Sequence, residues 1–463
     1  MIIVSESLKM KFADGITTKK MVFFTLQGIV GGFLFGMWGQ IQFFAATVLL
    51  IPQITITLIY LVYSIVDGIN DPIIGYLADK SKRFTSRFGK RFPWIMIGAA
   101  CGPIFLVLCF LQVSSDITIT VIWLIIMMAV YETFMTSFEI NHNALFPDLF
   151  REDFHRNKVI IIGAIIGGII TILAGGLIPN LIDSVGYLAT TIALVIIAYI
   201  ILIPYSYGVR EPAEMKNFRA ELDKTERGSS PVKEVVTRVF KDKNWMGVVI
   251  AGFAWSVAGA CFLYGLNFFV VDNLGLEIGD TALPLVMVYL VGFALAPLWV
   301  WISTKIGNRT AFIIGMLLNI TGYFLLILVT NLWSVILVFT FCGIGFSATS
   351  GVIYGLLRAE GIDNAAVNSG KREEGSYTGI LKIFTAFSYF FQTLIFTIVS
   401  GITGYDPDLG TGNSNYAKFG LKFQMSIIPM IILLIGTIAF IFLYRLSKED
   451  AKGNKVKLEE MGL

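Results

Sequence analysis

The chain has 463 residues, of which 56% are hydrophobic and only 14% charged. An ordinary soluble domain is about 25% charged, and no soluble fold of this size can bury so much apolar surface, so the composition describes a polytopic membrane protein. The formal net charge of +3 is too small to argue for a nucleic-acid partner, and the distribution of charge carries more than its sum.

The first stretch, MIIVSESLKMKFADGITTKK, is polar and basic, without the apolar core or small-residue cleavage site of a signal peptide. A spanning helix needs about 20 apolar residues. On that measure spans are expected near 21–48, 54–78, 94–113, 118–146, 159–180, 187–207, 245–271, 281–303, 310–330, 333–357, 376–403 and 422–444. This is an all-α membrane protein of twelve transmembrane helices. Its four cysteines, Cys101, Cys109, Cys261 and Cys342, fall inside apolar runs without metal-type spacing and read as buried thiols.

The connections alternate in charge. The N-terminus, 80–91, 151–158, 210–243, 305–309, 358–372 and the C-terminal tail are rich in Lys and Arg. The connections near Pro52, 114–116, 180–186, 272–280 and 330–331 nearly lack them, and 404–422 is an exception through Lys418 and Lys422. The positive-inside rule puts the basic set in the cytoplasm. Both termini are then cytoplasmic, as an even number of spans requires.

The polar stretch 207–244 divides the spans into an N-terminal six-helix bundle, 1–206, and a C-terminal one, 245–445, followed by a cytoplasmic tail, 446–463. Its end, PVKEVVTRVFKDKNW, has apolar residues at helical spacing and reads as a cytoplasmic surface helix. GYLADKSKRFTSRFGKRFPW after span 2 and PLWVWISTKIGNRTAF after span 8 are both basic, glycine-containing turns, a faint echo of duplicated units. Glycines inside spans, as in GIVGGFLFG, GAIIGGIITILAGG and FCGIGFSATSG, read as close helix packing.

Span 2 carries Asp67 and Asp71, one turn apart on one helical face. A charged carboxylate inside a bilayer costs about 2.5–3.5 kcal/mol, and two on one turn also repel. A cation between them, a shared proton or an answering basic side chain makes the pair tolerable. Asp67, Asn70, Asp71 and, from span 4, Thr136 offer only oxygen ligands, which hard cations require. Sodium fits that set, and a proton shared by the carboxylates fits nearly as well.

Span 4 presents a polar stripe of Glu132, Thr136, Glu139 and Asn143 at steps of four, three and four, expected to face a cavity rather than lipid. His142 beside it reads as a hydrogen-bonded packing residue. In span 11, Lys382 lies about two turns, roughly 11 Å, from the basic end of its helix, placed either to answer one of these acids or to snorkel to the surface. Asp79, Arg83 and Arg91 at the membrane edge form either a loop anchor or a gate that breaks and remakes. Tyr63, Trp255 and Tyr264 are candidate stacking surfaces for a sugar ring or an apolar chain.

At DGINDPIIGYLAD followed by RFGKRFPWIMIG, the chain resembles the glycoside–pentoside–hexuronide cation symporters of the major facilitator superfamily. The likeness continues through Thr136, Glu139 and Pro147 and, more loosely, at REEGSYTGILKIF. The resemblance implies the major facilitator fold and alternating access. It also implies a cation, Na+ or H+, at Asp67, Asn70, Asp71 and Thr136, with sugar hydroxyls at Glu139. The sugar-binding Asp of span 1 has no counterpart in QGIVGGFLFGMWGQ, the Arg early in span 5 is missing from VIIIGAIIGG, and the span-11 Lys falls on Ala386, one turn from Lys382. Lysolipid carriers share the fold and cation motif, so an amphiphilic substrate stands beside a sugar. The expected protein is a monomeric symporter without a cofactor other than its coupling ion. A magnesium-dependent prenyltransferase is the remote enzyme reading, disfavoured by Pro72 after the aspartate pair and by the lack of a second such motif.

Overall fold

The computed structural model describes residues 17–80, 87–150, 152–213, 215–216, 232–370 and 374–461. Among them the regular structure is helical throughout. Among the described residues ten helices are long and apolar enough to cross a membrane, and the pair Ile278–Ala294 and Ala296–Ile306, bent by 45°, makes an eleventh when taken as one span.

The first span is built from α1 (Thr18–Thr25), α2 (Gln27–Trp38) and α3 (Ile41–Thr47). It starts where the Thr17 hydroxyl accepts the Lys20 N–H at 3.2 Å, an N-cap. Next come α4 (Gln53–Lys80), α5 (Phe92–Cys109) and α6 (Ile117–Leu149), the last capped by Asp116. Then follows α7 (Asp153–Gly208), two helical segments that meet at a kink. At 1.5 Å per residue it would be about 84 Å long, far beyond a hydrocarbon core of about 30 Å, and its backbone leaves helical geometry at Gly186 (φ 81°, ψ 170°). A loop was expected over 180–186, whereas the helix continues to Gly186, whose missing side chain permits the positive φ. Along α7, Ile161, Ile165, Ile169 and Leu173 recur every four residues and are all exposed, a stripe suited to lipid.

After the surface helix α8 (Val232–Lys241) comes α9 (Lys243–Phe268), extended by a π-turn over Phe269–Asn273. The bent pair consists of α10 (Ala282–Ala294) and α11 (Ala296–Ile306). Pro297 occupies the first turn of α11, where its missing N–H costs least. Then follow α12 (Asn308–Leu325), α13 (Leu332–Thr349), α14 (Val352–Ser369), α15 (Glu374–Ala386), α16 (Ser388–Thr403), α17 (Asn415–Met425), α18 (Ile427–Leu443) and α19 (Lys448–Met461). Two expected loops are therefore partly helical: α14 runs through 358–369, and α17 takes Lys418 and Lys422 into the helix.

The chain forms two compact units, one drawn from within 1–41, 65–174 and 184–228 and the other from within 42–64, 175–183 and 229–463. The division runs through α4, between Ser64 and Ile65. In the first unit α5 packs along α6, so closely that a Cβ on Gly98 would stand 2.5 Å from the Phe134 carbonyl. The first span meets α7 through small residues, where a Cβ on Gly28 would lie 3.6 Å from the Gly167 Cα. The second unit is held by α9 on α18, α13 on α10 and α12, and α12 on α18. Trp245, Phe262, Phe312, Phe339, Leu433 and Phe440 sit in one continuous core there. The four thiols are free, all buried except the half-buried Cys101.

Candidate functional site

The acidic face of α4 belongs to the first unit. Asp67 is buried, with 9% of its surface exposed, and Asp71 is half-buried. Helical geometry sets them one turn, about 6 Å of rise, apart. Pro72 lies inside the same helix. It has no N–H to give the Gly68 carbonyl four residues back, which adds a backbone oxygen to the side-chain oxygens of this turn.

Asn70 ties this turn to α6: its Nδ2 donates to Thr133 Oγ1 at 3.1 Å. The Thr133 hydroxyl in turn donates to the Ala129 carbonyl at 2.8 Å, so its proton is committed to the backbone and its oxygen serves as acceptor. Thr136 is 1% exposed and donates to Glu132 Oε1 at 3.2 Å. Glu132 and Glu139 are half-buried, and Asn143, at the far end of the stripe, is exposed. Among the described residues no three His, Cys, Asp or Glu side chains gather as a metal cluster. A cation on this face would rest on mixed carboxylate, amide, hydroxyl and carbonyl oxygens.

His142 is a packing residue, as expected. Its ring stacks on Phe24 with centroids 4.1 Å apart, and Nδ1 lies 2.8 Å from the Tyr205 hydroxyl. Of the edge residues, the Asp79 side chain and Arg83 lie outside the described residues. Arg91 reaches Asn141 Oδ1 through Nη1 at 3.1 Å. Its backbone N–H donates to Glu211 Oε1 at 2.6 Å, and the Phe92 N–H reaches the same oxygen at 3.3 Å. Glu211, 4% exposed, thus neutralises the N-terminal turn of α5. Gly89 (φ +101°) has room for no side chain there, since a Cβ would stand 2.6 Å from the Glu211 carboxyl carbon. Lys216 Nζ adds a bond to the Arg87 carbonyl at 3.0 Å.

The remaining candidates, Tyr63, Trp255, Tyr264 and Lys382, belong to the second unit. Tyr63 and Tyr264 meet around Tyr389, with ring centroids 6.4 and 5.7 Å from it, and Tyr60 stands 6.2 Å from Tyr63. Trp255 joins a separate group: its Nε1 donates to Thr349 Oγ1 at 2.9 Å, and Asn319 Nδ2 donates to the same oxygen at 3.0 Å. Lys382 is half-buried on α15. On the same unit Thr57 Oγ1 donates to the Thr393 carbonyl at 3.0 Å and lies 2.7 Å from Thr397 Oγ1.

Sequence reasoning missed Thr133, Asn141, Glu211 and Tyr389. Thr133 falls one residue off the polar stripe, and Glu211 lies in a stretch read as a linker. Asn141 is 0% exposed and bonds the Ser137 carbonyl at 2.9 Å, which only the fold reveals. Tyr389 is one of 17 tyrosines, with nothing local to single it out.

Residues 30–448 match the model of the family described as MFS/sugar transport protein. The sodium-dependent lysophosphatidylcholine symporter 1-B of Danio rerio is 24% identical over 438 residues, covering 85% of this chain and 80% of that protein. The isoprimeverose transporter of Lactiplantibacillus pentosus is 23% identical over 430 residues, covering 89% of this chain and 85% of that one. Among solved structures the fold is similar to the nucleoside transporter NupG, with a TM-score of 0.65 at 11% identity, covering 93% of this chain and 100% of that chain. It is also similar to a bacterial homolog of the human lysosomal transporter Spinster, with a TM-score of 0.62 at 13% identity, covering 94% and 100%.

Proposed function

The chain belongs to the MFS/sugar transport protein family, a multi-pass membrane transporter and not an enzyme, and from that premise we propose sodium-coupled symport of a sugar or glycoside by alternating access. The observation that carries the reading is the acidic turn of α4: buried Asp67, half-buried Asp71 and Asn70 bonded to α6 through Thr133. A hard cation is suited by such oxygens, and ionisable residues inside a span commonly mark an ion or substrate pathway. The relatives named sodium-dependent favour sodium over a proton. Thr136 completes the proposed ligand set. Glu132, Glu139 and Asn143 are the proposed hydroxyl-binding groups, with Lys382 and the rings of Tyr63, Trp255 and Tyr264 as further substrate contacts. Arg91, with Asp79 and Arg83, is the proposed gate.

The finer topology belongs to the same proposal. With α7 counted as two spans divided at Gly186 and the bent α10–α11 pair as one, the chain crosses the membrane twelve times and both termini are cytoplasmic. Moving one elementary charge across 100 mV releases about 2.3 kcal/mol, enough to concentrate a neutral substrate roughly fiftyfold.

A lysophospholipid-like amphiphile is the second reading. It is favoured by the symporters of such a lipid among the relatives and by the absence of acid from QGIVGGFLFGMWGQ and of Arg from VIIIGAIIGG. Uptake of a panel of glycosides and of lysophosphatidylcholine into proteoliposomes, with sodium and pH gradients imposed separately, tests both. Sodium-driven glycoside uptake impaired by Glu139→Gln supports the first reading. Sodium-driven lysolipid uptake alone supports the second. Uptake of either that ignores both gradients refutes coupling.

A further inference from the structure

Behind the ring of Trp255 the second unit holds a hydrogen-bonding knot that consumes the indole N–H. Trp255 Nε1 donates to Thr349 Oγ1 at 2.9 Å, and Asn319 Nδ2 donates to the same oxygen at 3.0 Å. The Thr349 hydroxyl gives its own proton to the Gly345 carbonyl at 3.0 Å. A hydroxyl has one proton and two lone pairs, so all three are committed inside the protein. Thr349 and Asn319 are 1% and 3% exposed. An indole has a single N–H and no acceptor. That N–H is spent on a buried oxygen, so the Trp255 side chain has no donor left for a ligand.

The knot joins three helices: Trp255 stands on α9, Asn319 on α12, and Thr349 ends α13. Gly345 lets α12 and α13 come this close, since a Cβ there would stand 2.6 Å from Asn319 Oδ1. On α13, Phe346 flanks the Trp255 ring at 6.0 Å with a tilt of 39°, and Tyr289 of α10 meets Phe346 edge-on at 5.8 Å. The indole is therefore fixed by a hydrogen bond at its N–H edge and by packed rings beside it. Its remaining surface is open. Trp255 is half-buried, and one turn along α9 a Cβ on Gly259 would meet nothing within 4 Å. Side chains on a helix lean over the preceding turn, so a larger residue at 259 would lie toward the Trp255 ring. The glycine keeps that space clear.

We infer that Thr349 and Asn319 are positioning residues that present Trp255 to the transported molecule as a bare ring face. This subsite takes an apolar patch of the substrate, the C–H face of a sugar ring or a run of methylenes, rather than its hydroxyls or its headgroup. The inference rests on the transport reading above and holds for either of the two substrates considered there.

The test is uptake of a glycoside and of lysophosphatidylcholine into proteoliposomes, each read as KM, maximal rate and half-saturating sodium. Thr349→Val removes the acceptor and frees the indole to rotate. Losing one neutral hydrogen bond corresponds to a rise in KM of about two- to tenfold, with half-saturating sodium unchanged, and Thr349→Ser should restore the wild-type value. Trp255→Phe keeps a ring face without the N–H, so it should raise KM less than Trp255→Leu. Gly259→Leu fills the open space and should raise KM without lowering the melting temperature. The substrate whose KM moves is the one whose apolar patch lies on the ring. A Trp255→Phe variant as impaired as Trp255→Leu assigns the contact to the N–H and overturns the inference. A folded Thr349→Val or Gly259→Leu variant with wild-type KM for both substrates does the same. A wild type that carries neither substrate sinks the transport reading by itself. The positioning claim is then decided without substrate, by the indole N–H mode in ultraviolet resonance Raman spectra taken as the difference from Trp255→Phe. A shift in Thr349→Val but not in Thr349→Ser upholds it, and no shift overturns it.

Discussion

Thr133 gives the sharpest test of how the acidic turn is held. Its hydroxyl donates to the Ala129 carbonyl at 2.8 Å and accepts from Asn70 at 3.1 Å. Thr133→Val keeps the shape and removes the acceptor, leaving the Asn70 amide free to turn away from the proposed cation site. A neutral hydrogen bond has a net value of about 0.5–1.5 kcal/mol. Thr133 is exposed, so the lower part of that range applies, and the apparent sodium affinity should fall by about two- to fivefold. The assay is sodium-dependent uptake into proteoliposomes at saturating substrate, read as the half-saturating sodium concentration against the maximal rate. Thr133→Ser, which retains the hydroxyl, should restore wild-type affinity. A valine variant with unchanged sodium dependence, or a serine variant impaired as much as valine, would refute the argument that Asn70 is oriented through this bond.

Glu211→Ala should destabilise the first unit. It removes the acceptor of two N–H groups at the start of α5, and losing a charged hydrogen bond at a helix N-terminus costs about 2–4 kcal/mol; an unchanged melting temperature in detergent would count against it. Gly98→Val should be poorly tolerated, because a Cβ there meets the backbone of α6 at 2.5 Å and overpacking costs about 1–3 kcal/mol. Gly259→Ala, with nothing within 4 Å, is the tolerated control in the same measurement. Burial raises the Asp242 carboxyl above its ordinary pKa, against the smaller lowering effect of the Trp245 and Asn244 N–H groups. The folded state then binds more protons than the unfolded one between those two pKa values, so stability is lost as pH rises through that window. Asp242→Asn, which still caps α9, should therefore gain stability relative to wild type at neutral pH and lose that advantage at acid pH. An advantage independent of pH would contradict the assignment.

That the chain is a series of membrane-length helices was readable because hydropathy over about 20 residues is a strong signal. Which face of each helix turns inward was not, because lipid-facing and core-facing positions in a membrane are both apolar. The acidic turn stood out since Asp67, Asn70 and Asp71 are polar where little else is. Thr133 did not, since a threonine one residue off a stripe is common and only the docking of α6 on α4 gives it a partner. Gly186 shows the same limit at the level of boundaries: the polar run 180–186 reads as a loop, yet only the glycine departs from the helix. Glu211 was hidden because composition marks 207–244 as a linker, while the carboxylate lies 4% exposed against a helix start 120 residues away in sequence. Tyr63 and Tyr264 were singled out as ring surfaces, and the fold adds Tyr389 between them while setting Trp255 in a different polar group.

Equilibrium binding of radioactive sodium to the purified protein, in the absence of any substrate, tests the central claim most directly. The account predicts saturable binding of sodium in the wild type, its loss in Asp67→Asn and in Asp71→Asn, and a weakened but measurable signal in Thr136→Val. Undiminished sodium binding by a folded Asp71→Asn protein would contradict it.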